Sequence, residues 1–247
     1  SVMRYNIIHR TTYTYESPVT VGHYTARLEP RALPQQECPW HELHIRPEPV
    51  ERAKRCDYFG NSTVYFEIAG SHQKLEVISR SLIEVQKAEP PDPASTVPWE
   101  TIRDGCRGDG SAPLLLAGEL AFPSSLIPVG PAFADYARPS FPAKRPILEA
   151  VCDLNRRIHE DFVFDPAATD HTTPVAQVLA KRRGVCQDFA QVMIACLRSM
   201  GLPARYVSGY LETMPPPGQV KLVGADASHA WVSVYCGDDI GWMDANP

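Results

Sequence analysis

The sequence predicts an α+β fold, in which an N-terminal antiparallel β domain is followed by a core of helices packed on an antiparallel sheet. Residues 1–86 repeat the alternation of polar and apolar side chains that is typical of half-buried strands. Residues 87–145 are rich in proline, and residues 146–247 carry helical patterns first and strand patterns afterwards. Helices followed by strands in this way favour an α+β arrangement of the second domain.

The β domain is predicted from strands that are separated by turn-forming residues. In residues 4–15, Tyr and Ile side chains alternate with Arg, Asn and Thr, and the content of β-branched and aromatic residues favours a strand. Ser17-Pro18, Gly60-Asn61 and Ala69–Ser71 stand where the chain needs turns. The other predicted strands are residues 21–28, 41–46, 63–68 and 75–85.

The middle of the chain, residues 87–145, is predicted to be a linker with bridging helices. Its first part has little periodicity and holds prolines that stiffen the chain, namely Pro90, Pro91, Pro93, Pro98 and Pro113. Residues 114–122 form a short helix-like stretch before further prolines follow. We therefore expect a stiff connection between two domains in place of a packed element.

The C-terminal region, residues 146–247, is predicted to hold three helices followed by three strands. Apolar residues recur at helical spacing from Ile147 to Phe162, after a proline that suits a first helical turn. The second and third helices cover residues 173–181 and 185–200, and a glycine ends the third. The strands are residues 204–211, 230–236 and 240–244, with a proline-rich loop at residues 214–218.

The charge of the chain narrows the classes of partner. The chain has 247 residues, of which 44% are hydrophobic and 21% are charged, and its net charge is −5. The basic run Lys181-Arg182-Arg183 is short, which disfavours a nucleic acid or an anionic membrane as partner, since phosphate binding normally needs a basic stripe. The apolar run Leu114–Ala117 is far too short to span a bilayer.

The seven cysteines are scattered singly, with no Cys-x-x-Cys pair and no Cys/His spacing of a zinc site. Their odd number and irregular spacing argue against a disulfide framework, so we expect free thiols in a reducing, cytoplasmic setting. No secretory signal pattern opens the chain. The chain stops at Pro247, directly after a segment with the pattern of a core strand, and we expect the natural protein to continue.

One cysteine, Cys186, differs from the others in its place on a predicted helix. It follows Gly184-Val185 at the start of the third helix, where free backbone N–H groups and the helix dipole favour a thiolate. The thiolate is the attacking form of a nucleophilic cysteine, and the same N–H groups can donate to an oxyanion. A cysteine at a helix start more often serves packing, so its position alone is weak evidence for catalysis.

Two residues in the later strands complete a candidate triad. His229 opens one predicted strand and Asp244 ends the next, and paired antiparallel strands bring the start of one beside the end of the other. A carboxylate in that position can orient an imidazole, which then serves as the base for Cys186. Each residue alone is weak evidence, since a single His is usually a surface or core residue and Asp is a common turn former.

Three segments of the sequence resemble the transglutaminase-like superfamily, and they occur in that family's order. Residues 184–190, Gly-Val-Cys-Gln-Asp-Phe-Ala, are similar to its nucleophile segment G-x-C-x-D-x-A, and residues 198–210 continue its pattern. Ser228–Val232 resembles its His strand and Trp242–Asp244 its Asp strand. The first strand, residues 9–15, is similar to the β domain that precedes this core in many bacterial members.

The resemblance implies a papain-like core with Cys186 as the nucleophile, His229 as general base and then acid, and Asp244 as the residue that orients His229. The family usually follows this Asp with Pro-Thr, whereas Ala245-Asn246-Pro247 follows here. We expect Asp188 to cap the first helical turn and to take no part in catalysis.

Two functions of different classes are compatible with these residues. The first is an acyl-transfer enzyme, a peptidase, amidase or transamidase, that acts on amide bonds of a peptide or protein substrate through a thioester. The second is a catalytically inert module that binds a peptide or protein, although inert members usually lose a triad residue and all are present here. A metal-dependent hydrolase has the weakest support, since no His-x-x-x-His motif or close Cys pair exists, and no cofactor is expected.

Overall fold

The structure is a computed structural model of the chain, and it describes residues 2–212 and 228–247. The predicted proline-rich loop at residues 214–218 lies outside the described residues. The chain divides into two compact units, residues 1–90 and residues 91–247, and each has a hydrophobic core of its own. The antiparallel sheets and the helices of these units confirm the predicted α+β fold class.

The first unit is an antiparallel sheet arranged around its last strand. Its described strands are β1 (Val2–Ala26), β2 (Gln36–Arg46), β3 (Glu51–Cys56) and β4 (Ser62–Gln86). β4 pairs with β1 along nearly its whole length, with β3 over its first part and with β2 over its last part. The core of the unit consists of apolar side chains from β2 and β4, namely Leu43, Ile45, Val64, Phe66, Ile68, Leu75 and Val77.

β1 and β4 are each longer than the strands that the sequence predicts. The predicted breaks at Ser17-Pro18 and Ala69–Ser71 lie inside continuous strands. The pairing of β1 with β4 shifts in register between Thr14 and Val21, and such an irregularity accommodates a proline that cannot donate to the ladder. Gly70 adopts a φ of +100°, a conformation that glycine reaches without steric cost, so β4 continues through it.

The second unit contains the helices and two further sheets. Its described helices are α1 (Trp99–Gly105), α2 (Ala112–Gly118), α3 (Pro131–Ala137), α4 (Ile147–Asp161), α5 (Val175–Lys181) and α6 (Cys186–Ser199). Its described strands are β5 (Val163–Phe164), β6 (Arg183–Gly184), β7 (Ala204–Tyr210), β8 (Ser228–Tyr235) and β9 (Trp242–Ala245). Short 3-10 helices occupy Pro93–Ser95, Glu119–Ala121 and Arg138–Ser140. β5 and β6 pair in parallel, and β7, β8 and β9 form an antiparallel sheet in that order.

Residues 91–145 differ from the linker that the sequence predicts, since they belong to the second unit and to its core. Trp99 of α1 is buried, and its indole Nε1 donates to the Pro142 carbonyl at 3.0 Å. Prolines were expected to stiffen a linker, but Pro113 and Pro131 stand in the first turns of α2 and α3. A proline there loses no helical hydrogen bond, so this region packs as helices.

α6 is buried around most of its circumference. Six consecutive side chains are completely buried, which is more than one full turn: Val192, Met193, Ile194, Ala195, Cys196 and Leu197. The helix packs against α3 and α5 and against the strands β7 and β8. A helix that is apolar on every face has to lie in a core, so the packing of the whole element fixes the place of its first residue.

Helices of the described residues are all too short or too polar to cross a membrane.

The central place of α6 predicts a large cost for truncating one of its leucines. Leu197 is 0% exposed, whereas Leu116 of α2 is 68% exposed. We expect Leu197→Ala to lower the free energy of unfolding by about 2–5 kcal/mol, since it removes apolar contacts and leaves a cavity. Leu116→Ala makes the same chemical change and should alter it by less than about 0.5 kcal/mol. Denaturant unfolding measures both, and equal losses would contradict the burial of α6.

Candidate active site

Cys186 is the first residue of α6, and its thiol is partly buried. Val185 before it is extended, with φ −117° and ψ 177°, so the chain enters the helix from a strand-like segment. Backbone hydrogen bonds hold this segment, because β6 pairs with β5 and the Asp165 N–H donates to the Gly184 carbonyl at 2.8 Å. The structure therefore places the predicted nucleophile at a helix start, as the sequence indicates.

The Asp188 carboxylate ties the start of α6 to the segments before it. Its Oδ2 accepts hydrogen bonds from the Val185 N–H at 2.8 Å and from the Thr169 hydroxyl at 2.6 Å. The side chain is buried, and a carboxylate in the first turn also interacts favourably with the helix dipole. Gly184 makes room for it, since a Cβ at that position would overlap the Asp188 carboxylate. The predicted capping role of Asp188 is confirmed, and position 184 has no space for a side chain.

Tyr206 of β7 lies beside the nucleophile. Burial raises the pKa of Tyr206, and the nearby Cys186 and Asp188 raise it further. Tyr206 pairs with Val232 of β8, which is three residues from His229, a separation of about 10 Å along the strand. The predicted nucleophile and the predicted base therefore lie on two elements of the second unit, α6 and β8, that pack against each other. His229 and Val232 point to opposite faces of the sheet, since three residues separate them.

The ring of His229 is held by a residue that the sequence analysis does not assign to the site. Its Nε2 lies 2.8 Å from Oδ1 of Asn246, which directly follows β9. An amide oxygen only accepts hydrogen bonds, so this contact is a hydrogen bond in the tautomer that carries the proton on Nε2. In the neutral imidazole the other nitrogen, Nδ1, is then an acceptor.

Asp244 is not the hydrogen-bond partner of His229 in the structure, contrary to the expectation from the sequence. Its Oδ2 accepts from the indole Nε1 of Trp231 at 3.0 Å. The reason is the register of β8 and β9, which sets Asp244 opposite Ser233, four residues from His229. Asn246 lies on the same face of the sheet and two residues closer to His229, since alternate residues of a strand share a face.

A signal for Asn246 is present in the sequence. The family pattern places Pro directly after the orienting Asp, and the residue directly before a proline in this chain is Asn246, since Pro247 follows it. Asp244 and Asn246 are only two positions apart, and the resemblance of Trp242–Asp244 to the family's Asp strand points to the carboxylate. The position of the proline points to the asparagine instead.

The remaining surroundings of the site are aromatic and cationic. The Arg205 guanidinium lies over the ring of Trp242, 4.0 Å from its centroid, on the same face of the sheet as His229. In the described parts of the chain, no three His, Cys, Asp or Glu side chains are grouped so that they could hold a metal ion. The chemistry that the described site offers is that of a thiol, an imidazole and the groups around them.

Two family models match the chain. The model of the bacterial transglutaminase-like N-terminal region matches residues 5–84, within the first unit. The model of the transglutaminase-like superfamily matches residues 135–247, within the second unit. The second match includes Cys186, His229 and Asn246.

Curated relatives match along most of the chain. An uncharacterized protein of Mycobacterium tuberculosis is 40% identical over 253 residues, which cover 99% of this chain and 78% of that protein. An uncharacterized protein of Mycobacterium leprae is 31% identical, over 99% of this chain and 82% of that protein. A protein-glutamine gamma-glutamyltransferase of Pseudomonas aeruginosa is 33% identical over 119 residues, which are 47% of this chain and 17% of that protein.

A solved structure has a similar fold. It is that of a proposed cysteine protease from Cytophaga hutchinsonii, with a TM-score of 0.74 and 19% sequence identity. The match covers 100% of this chain and 76% of that chain. At this level of identity the likeness shows the fold alone.

The close approach of Gly184 to Asp188 predicts that a methyl group at position 184 weakens the start of α6. Gly184→Ala should push the carboxylate away from its donors, and buried groups that lose hydrogen bonds cost about 1–3 kcal/mol. We therefore expect the free energy of unfolding to fall by at least about 1 kcal/mol. Gly108→Ala is the matched control, because nothing lies within 4 Å of a Cβ there. Denaturant unfolding of both variants is the measurement, and similar stabilities for the two would contradict the tight packing at Gly184.

Proposed function

Because this chain belongs to the transglutaminase-like superfamily, we propose that it is a cysteine-dependent acyl-transfer enzyme that acts on amide bonds of peptides or proteins. The observation that carries the proposal is the position of Cys186 as the first residue of a helix whose start is tied down by Asp188. A thiol in that position faces free backbone N–H groups and the positive end of a helix dipole, which favour the thiolate. The thiolate is the form that attacks a carbonyl carbon.

In the proposed reaction, the Cys186 sulfur forms a bond to the amide carbonyl carbon, and the carbon–nitrogen bond of the substrate then breaks. The His229 imidazole takes the thiol proton and gives it to the departing amine, which leaves an acyl thioester on Cys186. Water or a second amine attacks this thioester, and its proton returns through His229 to the sulfur. The N–H groups at the start of α6 are the proposed donors to the oxyanion that forms in each half-reaction.

The surroundings of His229 support its role as base. Nε2 is engaged with Asn246, so Nδ1 is the nitrogen that exchanges a proton with Cys186 in this proposal. Asp244, the predicted third member of the triad, acts on His229 only through Trp231. Its hydrogen bond holds the Trp231 indole, whose ring centroid lies 6.3 Å from that of His229 with 26° between the ring planes. The Asp244 carboxylate thus fixes the Trp231 ring, and the imidazole lies against that ring.

The acceptor of the acyl group decides between hydrolysis and transamidation. The Pseudomonas aeruginosa relative is named for glutamyl transfer in proteins, and the Cytophaga hutchinsonii protein for proteolysis. Both reactions pass through an acyl thioester on the enzyme, so formation of this thioester is the half-reaction that the two activities have in common. We propose this half-reaction for the chain, with a peptide or protein as the acyl donor.

Replacement of Cys186 by alanine should abolish thioester formation. With glutamine-containing peptides or peptide esters, we expect wild type to accumulate an acyl-enzyme and Cys186→Ala to lose activity at least about a thousand-fold, since the attacking atom is gone. Cys152→Ala is the control, because Cys152 is a free cysteine at the surface of α4 and outside the site. Intact-protein mass spectrometry detects the acyl-enzyme, and a thioester that survives in Cys186→Ala would rule out this nucleophile.

Alkylation with iodoacetamide at neutral pH is a second test of the reactivity of Cys186, and it needs no substrate. Burial raises the pKa of the Cys196 and Cys236 thiols to about 12, so these groups stay protonated and react slowly. Although Cys152 is exposed, partial desolvation of its sulfur and the nearby Glu149 raise the pKa of this thiol as well. We expect peptide mapping to find Cys186 alkylated at least about tenfold faster than Cys152. Equal rates, together with the absence of any acyl-enzyme, would favour the inert binding module.

A lysate exposed to wild type and to Cys186→Ala separates the possible acceptors. Mass spectrometry of that lysate scores newly cleaved peptides, which indicate hydrolysis, and newly cross-linked peptides, which indicate transamidation. Either class of product should be present with wild type and missing with the variant. The same products with both proteins would show that another activity of the lysate made them.

A further inference from the structure

We propose that Asn246, and not Asp244, is the residue that positions the imidazole of His229, and that its neutral amide oxygen selects the ring tautomer with the proton on Nε2. The catalytic consequence of this assignment rests on the proposed function. The hydrogen bond and the tautomer do not, since they can be measured in the resting protein. Asn246 is therefore a positioning residue that acts through His229.

The first support is the contact itself. The distance of 2.8 Å between His229 Nε2 and Asn246 Oδ1 is that of an ordinary N–H···O hydrogen bond. An amide oxygen has no proton to give, so the bond forms only when Nε2 carries the hydrogen. The opposite tautomer would set an unprotonated Nε2 against an oxygen lone pair, which is repulsive.

The second support is that the competing carboxylate is already engaged. Asp244 Oδ2 accepts from Trp231 Nε1 at 3.0 Å, and the backbone register keeps Asp244 opposite Ser233. Shifting the register by one residue would turn Asp244 to the other face of the sheet, so it cannot approach His229 by a small slip.

The third support is the packing on the face of the imidazole. The Trp231 ring lies beside the His229 ring and also over Gly209, where a Cβ would overlap it. Gly209 pairs with His229 across the two strands, so the absence of a side chain there lets the indole approach. The imidazole is thus held on one face by Trp231 and at its Nε2 edge by Asn246, so Nδ1 is the ring nitrogen that Asn246 does not engage.

The proton balance follows from this arrangement. When the Cys186 sulfur gives up its proton, Nδ1 accepts it, and the ring becomes an imidazolium that still donates from Nε2 to Asn246. No bond at Nε2 is made or broken in that step. Asn246 brings no charge of its own, and Asp244 on β9 and Arg205 on β7 are charged groups on the same face of the sheet as His229.

The experiment measures the tautomer of His229 by NMR in protein labelled with nitrogen-15 in histidine. In wild-type protein with a neutral His229 ring, we expect the Nε2–H form to predominate. Asn246→Leu keeps the size of the side chain but removes the acceptor, so the ring should become a mixture of both forms. Asn246→Asp restores an acceptor and should restore the Nε2–H form. Asp244→Asn is the matched control, since its amide oxygen can still accept from Trp231, and it should leave the tautomer unchanged.

Kinetics then connect the tautomer to reactivity. We expect Asn246→Leu to lower the alkylation rate of Cys186, and any acyl transfer, on the order of tenfold or more, because the ring spends less time with Nδ1 able to accept a proton. Asn246→Asp should recover most of both rates. Asn246→Ala repeats the test with a smaller side chain should the leucine variant not fold.

Three results would overturn the assignment. They are an Nδ1–H form or an even mixture in wild type, an unchanged tautomer in both Asn246→Leu and Asn246→Ala, and loss of the preference in Asp244→Asn alone. A failure of the proposed function looks different, because no acyl-enzyme would form while the tautomer still followed Asn246. Absence of an acyl-enzyme together with a tautomer that follows Asn246 would keep the inference about His229 and remove only its role in acyl transfer.

Discussion

The hydrogen bonds of the Asp188 carboxylate set the geometry on which the rest of the site depends. A charged group that is 5% exposed is tolerated only with donors around it, and its donors come from two other segments, the backbone at Val185 and the hydroxyl of Thr169. One buried anion therefore joins a loop, the end of β6 and the first turn of α6. Because Cys186 is the first residue of that turn, the backbone that carries the thiol is held by a residue two positions later in the chain. The lack of a side chain at Gly184 is part of the same arrangement.

The sheet supplies a second, independent constraint. Its register decides which side chains of β9 meet the face that carries His229, and period-2 alternation puts Asp244 and Asn246 on that face together. The two residues have different hydrogen-bond partners. One holds the indole beside the imidazole, and the other holds the imidazole itself. An acidic residue near a histidine is thus a poor guide to the histidine's partner unless the register is known.

Much of the second unit could be predicted from the sequence, because long helices carry strong periodic patterns. The ends of α4 and α6 were predicted to within two residues, and the cap at Asp188 followed from its place in the first turn. Within residues 91–145 a helix was predicted at residues 114–122, where α2 lies, but α1 and α3 were not predicted, since helices of seven residues show too few turns for periodicity to emerge. β3 was missed because its side chains are mostly charged and exposed, which weakens alternation. The partner of His229 depends on the register of β8 and β9, and its signal in the sequence is the proline that follows Asn246.

The arrangement of the first unit around β4 has a consequence for how the chain assembles. Val2 pairs with Gln86, so the two residues at one end of the sheet's longest ladder are almost the whole unit apart in sequence. β1, β2 and β3 all precede the strand that they pair with, and β2 and β3 have no pairing to each other among the described strands. During synthesis β1, β2 and β3 emerge before β4, so this sheet can form only once β4 has followed them. Contacts of such long range make folding slow, and the edges of β1, β2 and β3 stay open to other chains until then.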